Sequence, residues 1–171
     1  MTLADDDVVQ ASAASGQSVV LVTATADPAK IGTEFAGTAT PLVVWQAGLF
    51  DDLGMTGTAS GTDFGISLST QQMTILDPSH PLAAGRSGTI LAYSGGSRLT
   101  WGRPSANGIV VAHVPLFPAR PALFAYEAGS GMVNGVAPAR RVGLFLYVHS
   151  ATVLTVDGWA IFDAAVNWAR E

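Results

Sequence analysis

Cysteine is absent from the chain, which excludes disulfides, thiolate catalysis and cysteine-ligated metal and leaves the redox compartment open. Charge is scarce: only 12% of the residues are charged, while 49% are hydrophobic and the mean hydropathy is +0.36. So little charge solvates a surface poorly, and part of the surface is expected to be covered by another protein surface. Basic residues number eight, seven of them arginine, and they run no longer than Arg140-Arg141. With a net charge of −5 this argues against nucleic-acid binding. Long apolar runs are missing too. The longest reach six to eight residues, against the ~20 needed to cross a bilayer, so no membrane span is expected. The start, "MTLADDDVVQ", has no basic or apolar region of the signal-peptide kind.

What is present is one domain's worth of chain, 171 residues read as a single unit over 1–171. "SVVLVT" (18–23), "PLVVWQA" (41–47), "NGIVVAHV" (107–114), "ALFAYEA" (122–128) and "RRVGLFLYVH" (140–149) are apolar runs bounded by glycine and proline. Runs apolar on both faces suit strands buried between helical layers. Helices are predicted over 5–16, over 27–37 with Asp27 as N-cap and Pro28 behind it, and at the C-terminus, where Trp159, Phe162, Val166 and Ala169 recur at helical spacing beside Ile161, Ala165 and Trp168. Residues 54–106, rich in Gly, Ser and Thr, read as short antiparallel strands and turns decorating the sheet. The expected fold class is therefore α/β: a flavodoxin-like three-layer sandwich with a mostly parallel sheet and a β-rich insertion around 54–106.

The order "VVLVT…PLVVWQAGLFDD", "LDPSHPLAAGRSGTI", "FAYEAGSGMVNGVAPARRVGLFL" and "LTVDGWAIFDAAVNWA" resembles a ThuA-like domain, a branch of the class I glutamine-amidotransferase-like superfamily carried by large bacterial secreted or surface proteins. The resemblance covers nearly the whole chain. It implies a link to carbohydrate and an extracellular or cell-surface setting. It also implies that a first strand and helix are missing ahead of "MTLADD", leaving a strand edge for a partner copy or neighbouring domain to fill. The superfamily's cysteine-based reaction is excluded here, and no catalytic set carries over.

Ligand sites in such sheets lie beyond the carboxyl ends of the strands. That places Gln46, Asp51, His113, Tyr126, Glu127 and His149 as candidate pocket residues, with no catalytic residue, metal or cofactor assigned. Ser130 and Ser150 lack the G-x-S-x-G elbow of a serine hydrolase. His80, His113 and His149 form no ligand pair, and Asp5-Asp6-Asp7 reads as a solvated helix start. Paired carboxylates for glycoside hydrolysis would require Asp51 or Asp52 to face a partner such as Glu127. Two readings follow: a non-catalytic structural or interaction module that self-associates, or a carbohydrate-related binding protein or hydrolase lined by Glu127, His113 and Gln46.

Overall fold

The computed structural model describes residues 2–68 and 70–171. Nine strands form among the described residues: β1 (Val20–Val22), β2 (Leu42–Val44), β3 (Phe64–Ser67), β4 (Gln72–Ile75), β5 (Thr89–Leu91), β6 (Leu99–Gly102), β7 (Ile109–Val114), β8 (Phe117–Tyr126) and β9 (Arg141–Gly143). Seven make one sheet in the order β1-β2-β9-β8-β7-β4-β5, and β3 pairs with β6 in a second. There are two α-helices among the described residues, the single turn α1 (Pro28–Ile31) and α2 (Val156–Arg170). No helix among the described residues is long and apolar enough to cross a membrane.

This overturns the flavodoxin-like expectation. Only β1-β2-β9 run parallel; β9-β8, β8-β7, β7-β4 and β4-β5 are antiparallel. The reason lies in the connections. A parallel pair needs a long crossover, whereas "VPLF" turns β7 straight back into β8, with Leu116 in the left-handed region at φ 63°. Both-face burial, read as a sign of parallel strands, is met instead by two cores packed on a mixed sheet. Val43, Leu123, Ala125 and Val142 face a core shared with α2, while Leu42, Val44, Phe124 and Tyr126 face one built with Ile31, Phe35, Phe50 and Met55.

The helical expectations are corrected in the same way. Residues 5–16 form a turn and a 3₁₀ turn at Ala11–Ala14, since isolated helices this short are marginal in water. Asp27 does cap α1, accepting from the Ala29 amide, but Gly32 at φ 47° ends it after four residues. α2 is capped by Thr155, whose hydroxyl oxygen accepts from the Gly158 amide at 3.1 Å. Its buried stripe is Gly158, Ile161, Ala165, Trp168 and Ala169, so Trp159 turns out to solvent, 43% exposed, and Phe162 and Val166 are half-buried. The rotation follows from Gly158, where a Cβ would stand 2.4 Å from the Ala92 carbonyl oxygen. Only glycine lets the helix start that close to the chain beyond β5.

Residues 54–106 supply β3 to β6, and β4 and β5 complete one end of the main sheet rather than decorating it. The expected long strand at 140–149 pairs as β9 for three residues only. Beyond Gly143 the chain is held by β6, whose Thr100 amide donates to the Phe145 carbonyl and whose Thr100 hydroxyl donates to the Leu146 carbonyl at 2.6 Å. β1 pairs directly with β2 and stands at one edge of the sheet.

Phe124 of β8 lies across Gly143 of β9. A Cβ at Gly143 would sit 2.2 Å from the Phe124 ring, and one at Gly102 of β6 would sit 2.9 Å from it. The ring also meets Phe50 edge-on at 5.2 Å. Gly143→Ala is expected to destabilise the protein by about 1–3 kcal/mol through overpacking, and Phe124→Leu in the same chain to recover part of that loss; denaturant unfolding of the two variants checks both outcomes.

Candidate functional site

The six candidate residues fall at different places. Gln46 follows β2 and is fully engaged with backbone: its Nε2 donates to the carbonyls of Ala24 (2.9 Å) and Ala26 (2.6 Å), and its Oε1 accepts from the Gly48 amide (3.4 Å). It ties the loop after β1 to the loop after β2. Asp51 is half-buried in the turns that follow, and burial next to Asp51 raises the pKa of Asp52. His113 sits in β7 with Nδ1 2.8 Å from the Val114 carbonyl oxygen.

Tyr126 and Glu127 lie at the other end of the sheet. β8 runs against β9, so Tyr126 stands opposite Arg141, the first residue of β9. The Tyr126 hydroxyl donates to the Met55 carbonyl (2.8 Å) and accepts from the Ser105 amide (2.7 Å), and burial raises its pKa. Glu127 accepts from Arg140 Nε at 2.8 Å. His113 is opposite Pro121, and the six residues of chain from Pro121 to Glu127, at ~3.3 Å each, put Glu127 about 20 Å from it. Glu127 and His113 therefore do not share a site.

His149 is exposed after β9, held at φ 60°. With Thr23, Thr25, Trp45, Leu146, Trp159 and other residues it lines a cavity of about 330 Å³ at the carboxyl ends of β1, β2 and β9, of neutral and mainly apolar walls. Of the six, His149 alone lines it. Ser150 is buried, its hydroxyl oxygen accepting from the Tyr147 amide at 3.2 Å. The carboxylates of Asp5, Asp6 and Asp7 approach within 4.8 Å of one another, and the Lys30 ammonium already lies 3.2 Å from Asp6 and 2.5 Å from Asp7.

Two polar clusters escaped the sequence reading. Arg141 is fully buried, and its two terminal nitrogens donate to the carbonyls of Thr38 (2.5 Å), Thr40 (3.1 Å), Ala139 (3.3 Å) and Arg140 (3.3 Å), while its Nε has no partner and no carboxylate pairs with it among the described residues. Burial lowers its pKa to about 10, so it stays charged at neutral pH. The planar fork is the one side chain able to satisfy that many carbonyls at once. The signal was a charged residue opening the apolar run "RRVGLFL". Beside it, Arg140 lies over the Trp168 ring at 4.5 Å and donates to the Trp168 carbonyl, while His80 packs on the same ring at 5.6 Å. Glu127 thus belongs to a clasp that fastens the end of α2 to the β8-β9 connection.

Profiles of known protein families, characterised proteins and solved structures give no match to this chain.

Arg141→Leu strands the Thr38 and Thr40 carbonyls, and a loss on the order of 3 kcal/mol is expected in denaturant unfolding. His80 caps the 3₁₀ turn Pro81–Ala83, its Nδ1 accepting from the Leu82 amide at 3.2 Å. Burial lowers its pKa below the usual 6.5, against the opposing pull of Asp77 and Glu127, with Arg140 adding to the lowering. The unfolded chain therefore takes up the proton first: the His80 contribution is complete above about pH 6.5 and declines as pH falls below it. His80→Asn keeps the cap without the titration, so thermal unfolding between pH 7 and pH 5 should weaken less in the variant than in the parent. Equal slopes would show that His80 is not the cause.

Proposed function

We propose that the chain is a non-catalytic structural or interaction module of the ThuA-like kind, working by packing against another protein surface, a second copy or a neighbouring domain. One observation carries this reading: among the described residues no strand pairs with the outer side of β1, and a groove lies along each of its faces. Leu21 is 37% exposed there, and Trp159, Phe162 and Val166 of α2 extend the apolar surface on one side. Trp159 meets Phe162 edge-on at 5.7 Å, and Phe162 meets Trp45 at 6.1 Å, so the exposed ring continues a rigid aromatic wall. The scarcity of charge in the composition points the same way.

The polar residues that would serve chemistry support the reading by what they already do. Gln46, Tyr126 and Glu127 each hold backbone or a structural arginine. A carbohydrate or hydrolytic site lined jointly by Glu127, His113 and Gln46 requires one ligand to reach groups set at different ends of the sheet. A cell-surface setting in a bacterial protein remains what the resemblance to ThuA-like domains suggests.

The proposal predicts that glycoside, ester and peptide substrates give no turnover that depends on this chain's acid and base candidates. Turnover by the purified protein that disappears in Glu127→Gln or His149→Ala would refute it.

A further inference from the structure

The dipeptide Asn-Gly occurs twice in the chain, at Asn107-Gly108 and at Asn134-Gly135. In this pair the glycine amide nitrogen can close on the asparagine side-chain carbon, because glycine has no Cβ to obstruct the approach. The fold treats the two pairs differently. At the first, the Gly108 amide donates to the Ser105 carbonyl at 3.0 Å. The Asn107 amide donates to the Ser105 hydroxyl oxygen at 3.2 Å, and its Nδ2 donates to the Gly131 carbonyl at 3.4 Å. Gly108 is also packed, since a Cβ there would stand 2.5 Å from Pro104 and 3.2 Å from the Tyr126 ring. Nucleophile and electrophile are both held.

At the second pair neither is held. Among the described residues the Gly135 amide donates to no group, and the Asn134 side chain makes no hydrogen bond. Residues 133–136 are all exposed, and Gly135 sits at φ 85°. The turn is fixed at its backbone instead. The Met132 amide donates to the Gly135 carbonyl at 2.9 Å, and the Asn134 amide donates to the Gly54 carbonyl at 3.1 Å. The Asn134 carbonyl lies against Gly54, where a Cβ would stand 2.3 Å from its oxygen.

We propose that Asn134 is a site of spontaneous deamidation and isoaspartate formation, and that the fold protects Asn107 from the same reaction. The Gly135 amide nitrogen gives its proton to solvent and attacks Cγ of Asn134. A bond forms between that nitrogen and Cγ, closing a succinimide ring, while the Cγ–Nδ2 bond breaks and the nitrogen leaves as ammonia. Water then opens the ring. Cleavage of the new bond gives aspartate; cleavage of the old peptide bond gives isoaspartate. Nothing is oxidised or reduced, and either product adds one negative charge to a chain whose net charge is −5.

Isoaspartate carries the main chain through the former side chain, and the carbonyl that faced Gly54 becomes a carboxylate. The close approach to Gly54 is then lost, and the new charge is set two residues from Asp52 in sequence. Met55, the next residue, accepts the Tyr126 hydroxyl at 2.8 Å. The modification therefore loosens the β8-β9 connection where it rests on the loop before β3. This site is independent of the interaction-module reading above.

Ageing the full chain at neutral pH and physiological temperature tests this, with peptide mapping by mass spectrometry and electron-transfer fragmentation to separate isoaspartate from aspartate. Asn134 is expected to convert to both products about tenfold or more faster than Asn107, whose attacking amide must first leave its hydrogen bond. In denaturant the Gly108 amide is freed, and the two rates converge. Asn134→Gln lengthens the side chain and stops the reaction at this site, and circular dichroism establishes that the variant is folded. Ion exchange should show the parent gaining an acidic species that loses thermal stability, and the variant gaining it far more slowly. Asn107 converting as fast as Asn134 in the native chain, or Asn134 converting only in denaturant, overturns the inference. A rate difference that persists undiminished in denaturant overturns the protection of Asn107 by the fold. Full stability in the isoaspartate form overturns the loosening alone.

Discussion

The ring of Phe124 laid across Gly143 is the contact from which the rest of the architecture follows. It occupies the space where a side chain on β9 would stand, reaches Gly102 of β6, and meets Phe50 edge-on. Three strands and one loop are thereby locked at one point. The pairing of β8 with β9 stops at Phe124↔Gly143, and beyond it the chain leaves β8 and is taken over by Thr100 of β6. The short second sheet is joined to the main one there, and the two cores are set on opposite faces by the alternation of Leu123, Phe124, Ala125 and Tyr126.

The two ends of the parallel strands then acquire different characters. At the amino end of β9, Arg141 gathers carbonyls from the Thr38–Thr40 loop and from its own approach, while Arg140, Glu127, Trp168 and His80 fasten α2. A buried guanidinium without a carboxylate is tolerable because several carbonyl dipoles replace its water. At the carboxyl end, Gln46 performs the same service between two loops with a neutral amide. What remains without a paired strand among the described residues is lateral: β1, at the edge, with a groove on each face. Of the candidate pocket residues, Gln46, Tyr126 and Glu127 hold backbone or a structural arginine.

Much of the local structure was legible. Each of the five apolar runs contains a strand, Asp27 caps a helix start, and the glycine-rich middle turns often. These features depend on neighbours in sequence: capping geometry, turn residues and strand propensity act over a few residues. The parallel sandwich was not legible correctly, because a run buried on both faces looks the same whether its neighbours are parallel or antiparallel. The helix expected over 5–16 failed because too little apolar surface falls on one side to hold it. Trp159 was assigned to the core by spacing, and Gly158 decided otherwise by letting the opposite flank of α2 approach the chain beyond β5.

The candidate site divides along the same line. That Glu127 is the acid closing an apolar strand, that Arg140 and Arg141 open another, and that cysteine chemistry is excluded are properties of the sequence alone, since residue type and order suffice for them. Which arginine is buried, that Glu127 faces Arg140 and not His113, and that β1 ends the sheet were decided only by tertiary structure. The physical reason is strand direction: reversing β8 against β9 carries Tyr126 and Glu127 to the far end of the sheet, and no local pattern of residues encodes which way a neighbouring strand will run.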